Sequence, residues 1–216
     1  MKTPRRAKHI EKRTRVATGK GSTNRRSRDD RWEDLLRVSA AVFAQQGYSA
    51  TSLQTIAERI GILKGSLYYY INSKEDLLFE IIHGVLDQAI AGLEELAAAP
   101  KPALERLHDA IVFHVKYLIQ KHTETTVFLH EFQRLSRPRR RQIPSARYEE
   151  IFKQLIEEAQ AEKSIRPELD PVIAARLVLG ATNWIYRWYR PAEVTNPDRL
   201  SEEIANQLIR GIAVSD

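Results

Sequence analysis

The sequence contains no cysteine, which excludes disulfides and thiol catalysis. Glycine and proline are scarce, at nine each in 216 residues, while Ala, Leu, Glu, Arg, Gln and Ile are abundant. That balance points to an all-α fold. No apolar run approaches the roughly 20 residues that a membrane span needs, and no apolar stretch follows the basic N-terminus to serve as a signal sequence. The expected location is therefore the cytoplasm, with no membrane partner. Also missing are a Gly-rich phosphate loop, a nucleophile elbow and a pair of catalytic carboxylates, which makes an enzyme a remote reading. His108, His114, His122 and His130 lack the i, i+4 spacing of a helical metal pair, so neither a metal nor a resident cofactor is expected.

The formal charge is +6, and its distribution is uneven. Residues 1–31 hold 12 Lys and Arg against three acidic residues, while the rest of the chain is slightly acidic. A basic block of this kind attracts polyanions, with phosphate backbones as the leading candidate. Residues 1–30 have almost no large apolar side chains and read as a disordered basic arm. A solubilising tail would have the same composition.

Helical periodicity organises the remainder. Trp32, Leu35, Leu36, Ala40 and Phe43 predict a helix over 31–46, closed by Gly47. Thr51 followed by Gln54 reads as a capping box opening a helix that Gly61 ends. A short helix is expected over 64–70, with Leu67, Tyr70 and Ile71 turned inward. Ser73 and Asp76 look like the cap of a long helix over 74–98. Helices are further expected over 103–121, 124–135 and 145–163, the second and third separated by a basic loop over 137–144. Asp170-Pro171 and Asn196-Pro197 each give an N-cap followed by proline at the first helical position. They start helices over 171–189 and 197–212. The total is nine helices, with no strand pattern and no internal repeat.

Function concentrates between Thr51 and Lys74. Two helices this short cannot bury their own apolar stripes and must pack on the first and fourth, which makes a helix-turn-helix. The second helix of such a unit presents its leading residues to the major groove of double-stranded DNA. Lys64 suits a phosphate or a guanine edge, Gly65 permits close backbone approach, and Ser66 can hydrogen-bond a base or phosphate. The hydroxyls of Tyr68 and Tyr69 suit phosphates. Thr51 and Ser52 offer a clamp at the preceding helix N-terminus, and Lys74 a third contact.

The stretch from Ala50 to Leu78, ATSLQTIAERIGILKGSLYYYINSKEDLL, resembles the DNA-binding segment of TetR-family regulators, and Phe43 to Tyr48 matches the family's first-helix ending. The likeness covers about residues 31–82. It implies a helix-turn-helix domain over 31–75 and a ligand-binding and dimerisation domain over 76–216. It also implies a homodimer through the last two helices, an operator of two half-sites, and release of DNA when a small effector binds. Ile71 stands where the family often has Phe. A long basic arm is less usual, and a role in the minor groove is expected for it.

Two later segments, Phe128 to Leu135 and Trp184 to Pro191, resemble TetR-like repressors of steroid-ring and fatty-acid catabolism that respond to acyl-CoA thioesters. Trp184, Arg187 and Trp188 share a helical side, where the rings could stack on adenine and the guanidinium pair with phosphate. Phe113, Tyr117, Phe128, Phe132 and Tyr148 could line the cavity. The same aromatics could equally be core or dimer interface. The expected function is a ligand-responsive transcriptional repressor. The competing reading is a constitutive DNA-binding protein without an effector.

Overall fold

A computed structural model describes residues 22–190 and 196–214, with side chains from residue 29 onward. The described residues form eleven α-helices and one isolated antiparallel bridge, between Ile165 and Ala213. All nine expected helices are present. The additional two are single turns.

Helix α1 (Ser22–Gln46) buries Leu35, Ala40, Val42 and Phe43 along one side. It begins nine residues ahead of the expected start, so the last part of the supposed arm is helical. Residues 1–21 of that arm lie outside the described residues. Gly47 follows in the left-handed region at φ 81°, as its position after the last periodic residue requires.

Helix α2 (Leu53–Ile60) is capped by Ser52, whose Oγ accepts the Thr55 N–H at 3.1 Å. The expected cap, Thr51, lies one position too early. Its hydroxyl donates instead to the Gly47 carbonyl, and the residue is only 2% exposed. Gly61 ends α2 at φ 78°, again left-handed. Helix α3 (Lys64–Leu67) is one turn, continued by tighter turns through Tyr70, where Tyr70 and Ile71 both donate to the Leu67 carbonyl. The helix expected over 64–70 is therefore shorter. Leu67 and Ile71 face inward, and Tyr70 packs half-buried against Trp32 with ring centroids 6.4 Å apart.

Helix α4 (Lys74–Ala97) opens with a full capping box between Ser73 and Asp76. Leu77 and Leu78 at its start, and Leu86, Ala89, Ile90 and Leu93 further along, belong to one continuous core. This helix packs on α1 and on α5 (Ala103–Gln120), α6 (His122–Glu131) and α8 (Ser145–Ala161). A 3₁₀ turn over Phe132–Arg134 replaces the last part of the expected sixth helix. The expected loop over 137–144 contains a helical turn, α7 (Arg137–Arg140). Arg139 of that turn pairs with Asp76 and lies 4.5 Å over the Phe79 ring, so it is not a solvated loop residue.

Helix α9 (Pro171–Asn183) has the expected cap, Asp170 accepting the Val172 and Ile173 N–H groups at 2.8 and 3.0 Å. The helix is interrupted at Trp184 and resumes as α10 (Ile185–Trp188), so the eighth expected helix is two pieces. Helix α11 (Pro197–Ile212) is capped by Asn196 and packs mainly along α5. Its exit is tied back by Arg166 N–H to Ile212 O and Val214 N–H to Ser164 O.

Candidate nucleic-acid interface and effector cavity

The loop and turn around α3 expose a mixed polar and aromatic edge. Lys64, Gly65, Tyr68 and Tyr69 are exposed, Tyr69 by 82%. Ser66 is half-buried, and Leu63, just ahead of the helix, is exposed by 81%. Leu67 below them is fully buried, so the turn is anchored by one side chain while its neighbours project. Ser52 lies exposed at the head of α2.

Two expected contacts are not on that edge. Thr51 is buried, with its hydroxyl engaged as described. Lys74 is half-buried, and its ammonium donates to the carbonyls of Tyr48 and Thr51, both at 2.8 Å, while lying 4.2 Å over the Tyr48 ring. Burial pulls its pKa below the ordinary lysine value, against the opposing pull of Glu131. An ammonium so engaged pins the α1–α2 turn to α4 and has little left for a phosphate.

A second site lies within the bundle. A cavity of about 350 Å³ opens between α4, α5, α6, α8 and α9. Val85, Leu86, Ala89, Leu118 and Leu179 make apolar wall. Three of the expected ligand residues line it: Tyr117, Phe128 and Tyr148. Phe113 and Phe132 stand behind them, stacked on Tyr117 at 5.7 Å and edge-on to Phe128 at 5.6 Å. They support the wall without lining it.

Trp184, Arg187 and Trp188 do not reach the cavity. All three are exposed, because α9 turns Leu179, Gly180 and Asn183 toward it and carries Trp184 to the other side. Trp184 and Trp188 continue a stripe with Ile173 and Leu177, spaced by four, seven and four residues along α9 and α10. This is one helical face of large apolar residues open to solvent.

The cavity also has polar groups. His114 is buried, its Nδ1 lies 2.6 Å from the Tyr148 hydroxyl, and its Nε2 has no hydrogen-bond partner. Burial lowers the His114 pKa to about 4, a shift that the nearby Asn183 amide opposes without a formed hydrogen bond. Burial likewise pushes the Tyr148 phenol far up. The Tyr117 hydroxyl donates to Val85 O at 2.7 Å, and burial pushes its pKa up to about 12. At physiological pH these three groups are neutral. The charged lining residues are Arg176 and Glu149, paired with each other at 2.7 Å on the solvent side. In the sequence His114 offers only a metal-ligand reading, and Asn183 carries no signal at all. A histidine on an otherwise apolar helix face was the available signal.

Helix α6 links the cavity to the turn between α1 and α2. Thr125 and Phe128 of α6 line the cavity. At the end of that helix, Glu131 Oε1 accepts the Tyr48 N–H at 3.0 Å, in the turn that leads to α2. Nearby, Glu75 at the head of α4 accepts the Ser136 N–H at 2.7 Å.

The chain matches two family profiles. Residues 35–81 match bacterial regulatory proteins of the tetR family, and residues 100–212 match the tetracyclin repressor-like C-terminal domain. The HTH-type transcriptional repressor KstR2 of Mycobacterium tuberculosis (strain ATCC 25618 / H37Rv) is 29% identical over 182 residues, covering 83% of this chain and 91% of that protein. The solved structure of the ketosteroid transcriptional regulator KstR2 of Mycobacterium tuberculosis superposes with a TM-score of 0.80 at 29% identity, covering 86% of this chain and 96% of that one. AibR, solved in complex with isovaleryl coenzyme A and operator DNA, superposes with a TM-score of 0.74 at 27% identity, covering 83% of this chain and 98% of that one. These relatives are named as regulators, and no described helix is long and apolar enough to cross a membrane. The chain belongs to the TetR family of transcription regulators.

Proposed function

We propose that the protein is a ligand-responsive repressor that holds a (pseudo)palindromic operator as a homodimer and releases it when an acyl-CoA thioester fills the cavity. The observation that carries this reading is α6, which contributes Thr125 and Phe128 to the cavity and Glu131 to the turn before the DNA-facing helices. An effector that displaces Phe128 moves the same rigid element that positions Tyr48. Coupling of two sites needs such a shared two-state element.

On the DNA side, Ser52, Lys64, Gly65, Ser66, Tyr68 and Tyr69 are the contacts that fit, with α3 entering the major groove. Thr51 and Lys74 serve by setting the geometry of that edge. Two half-sites require two copies. The exposed stripe of Ile173, Leu177, Trp184 and Trp188, beside α11, fits a self-complementary interface through the last helices. The cavity is of a size for an acyl chain or ring. The nucleotide would then lie toward Arg176, which can exchange Glu149 for a phosphate. Similarity to AibR, solved with isovaleryl coenzyme A, and to KstR2, named for ketosteroid regulation, supports a thioester effector.

The test is a thermal-shift screen of the full chain with CoA thioesters, followed by fluorescence anisotropy on a duplex selected from a random pool. A thioester that raises the melting temperature and releases the duplex is the expected result. Stabilisation by no thioester removes the effector class. A selected duplex that no ligand of any class releases favours constitutive binding.

A further inference from the structure

Among the described residues the cavity holds one buried polar atom that nothing satisfies, His114 Nε2. An unmet buried donor or acceptor costs about 1–3 kcal/mol, so a group left this way invites a partner from outside the chain. Its chemistry can be assigned. The Tyr148 phenol, which burial keeps protonated, must place its hydrogen on an acceptor. The partner it has is His114 Nδ1 at 2.6 Å. Nδ1 therefore accepts, the neutral ring carries its proton on Nε2, and Nε2–H is an unmet, enclosed donor on a residue that lines the cavity. Its surroundings argue against a charged partner. His114 stays neutral near pH 7, and the lining charges, Arg176 and Glu149, neutralise each other. A carboxylate beside His114 would be buried without a counter-charge.

We infer that the Tyr148–His114 pair is a specificity device that donates one hydrogen bond, from His114 Nε2, to an uncharged oxygen of the effector, a carbonyl in the first instance. The inference rests on the cavity being the effector site, as proposed above. It adds that the inserted portion bears an oxygen among otherwise apolar atoms, and that a plain hydrocarbon of the same shape is disfavoured. Tyr148 acts as the positioning residue by fixing the tautomer. Asn183, beside the ring, can take the oxygen's second lone pair.

The probes are acetophenone and α-methylstyrene, which share a skeleton and differ only in C=O against C=CH2. Each is titrated into the full chain, with the histidines labelled with 15N and the aromatic and methyl signals of the cavity wall followed in parallel. The expected result is that acetophenone binds about tenfold tighter, equivalent to about 1.4 kcal/mol. It should also shift the protonated Nε2 signal of His114, while α-methylstyrene moves wall signals alone. His114→Phe should abolish the preference and keep α-methylstyrene binding. Equal affinities in the natural protein overturn the hydrogen-bond assignment while leaving the cavity reading intact. So does a His114 ring whose proton resides on Nδ1. Failure of both probes to move any signal of Tyr117, Phe128 or Tyr148 overturns the cavity reading itself. The natural protein decides each of these outcomes, so the proposal does not depend on the variant folding.

Discussion

Glu131 accepts the backbone N–H of Tyr48 at 3.0 Å, across 83 positions of sequence, and Lys74 takes the carbonyl of the same residue at 2.8 Å. Both polar groups of one peptide-linked residue are thus held from the body of the molecule, one by the end of α6 and the other by the start of α4. A hydrogen bond to a charged group contributes about 1.5–3 kcal/mol. Glu131→Ala is expected to speed hydrogen exchange at the Tyr48 amide by roughly 10- to 100-fold at unchanged exchange elsewhere in α1. Glu131→Gln, which keeps an acceptor, should lie between. An unchanged Tyr48 amide in the alanine variant would show that the contact carries no coupling.

The lysines that open α3 and α4, Lys64 and Lys74, should behave oppositely. Lys74→Ala removes two hydrogen bonds to partly buried carbonyls and should lower the melting temperature by several degrees. Lys64→Ala, at an exposed position, should leave that temperature within a degree. Its effect should fall on duplex affinity, with the salt slope reduced by about 1. Anisotropy at several salt concentrations and a melting curve for each variant separate the two roles. A stable Lys74→Ala protein with a reduced salt slope would return Lys74 to the phosphates.

Stability should depend on pH through His114. Its pKa is near 4 when folded and near 6.5 when unfolded, so the unfolded chain binds more protons between those values. The stabilisation by neutral His114 is complete above about pH 6.5 and is lost as pH falls toward 4. At most it amounts to about 3 kcal/mol, from 1.36 kcal/mol per pKa unit. The groups facing the ring, Tyr148 and Asn183, stay uncharged throughout this range. Urea melts at pH 7 and pH 4.5 should show a smaller pH effect in His114→Gln than in the natural protein. Equal pH effects in the two would contradict the assignment.

Helices α4 and α5 meet at Gly92, where an added Cβ would come within 2.4 Å of the Phe113 ring. Gly92→Ala should destabilise the protein by about 1–3 kcal/mol through overpacking, although alanine favours the helix. Gly92→Ala combined with Phe113→Leu should recover part of the loss. Gly84, in the same helix with open space around its Cα, is the control, and Gly84→Ala should be neutral or stabilising by about 1 kcal/mol. Thermal melts of the four proteins give the comparison.

The boundaries legible in the sequence are those written in local chemistry. Asp170-Pro171, Asn196-Pro197 and the Ser73–Asp76 box each start a helix where expected, and Gly47 and Gly61 close α1 and α2 in the left-handed region. These depend on a residue and its immediate neighbours. Thr51 and Ser52 show where such reasoning stops. Both carry a hydroxyl suited to a cap, and the choice between them depends on how the turn packs under Lys74, 23 positions away. Trp184, Arg187 and Trp188 lie away from the cavity, which their spacing does not reveal, for a similar reason. Helix α9 is apolar on two sides, and periodicity does not say which side meets the cavity and which meets solvent. Phe113 and Phe132 came close because they stand one layer behind the wall. His114 escaped because its importance lies in an unmet nitrogen, a property of three-dimensional surroundings.

The brevity of α3 carries a last implication, concerning how such a regulator changes targets over generations. One turn of helix has no stability of its own, so its pose is dictated by the single buried Leu67, with Ile71 just beyond. The outward residues Lys64, Gly65, Tyr68 and Tyr69 are exposed, where substitutions usually change stability by no more than about 0.5 kcal/mol. They can be exchanged freely while the scaffold keeps its shape. With α3 reading the operator as proposed, a new operator preference is within reach of a few substitutions that melt nothing, which leaves room for related regulators to share a body and diverge in the genes they address.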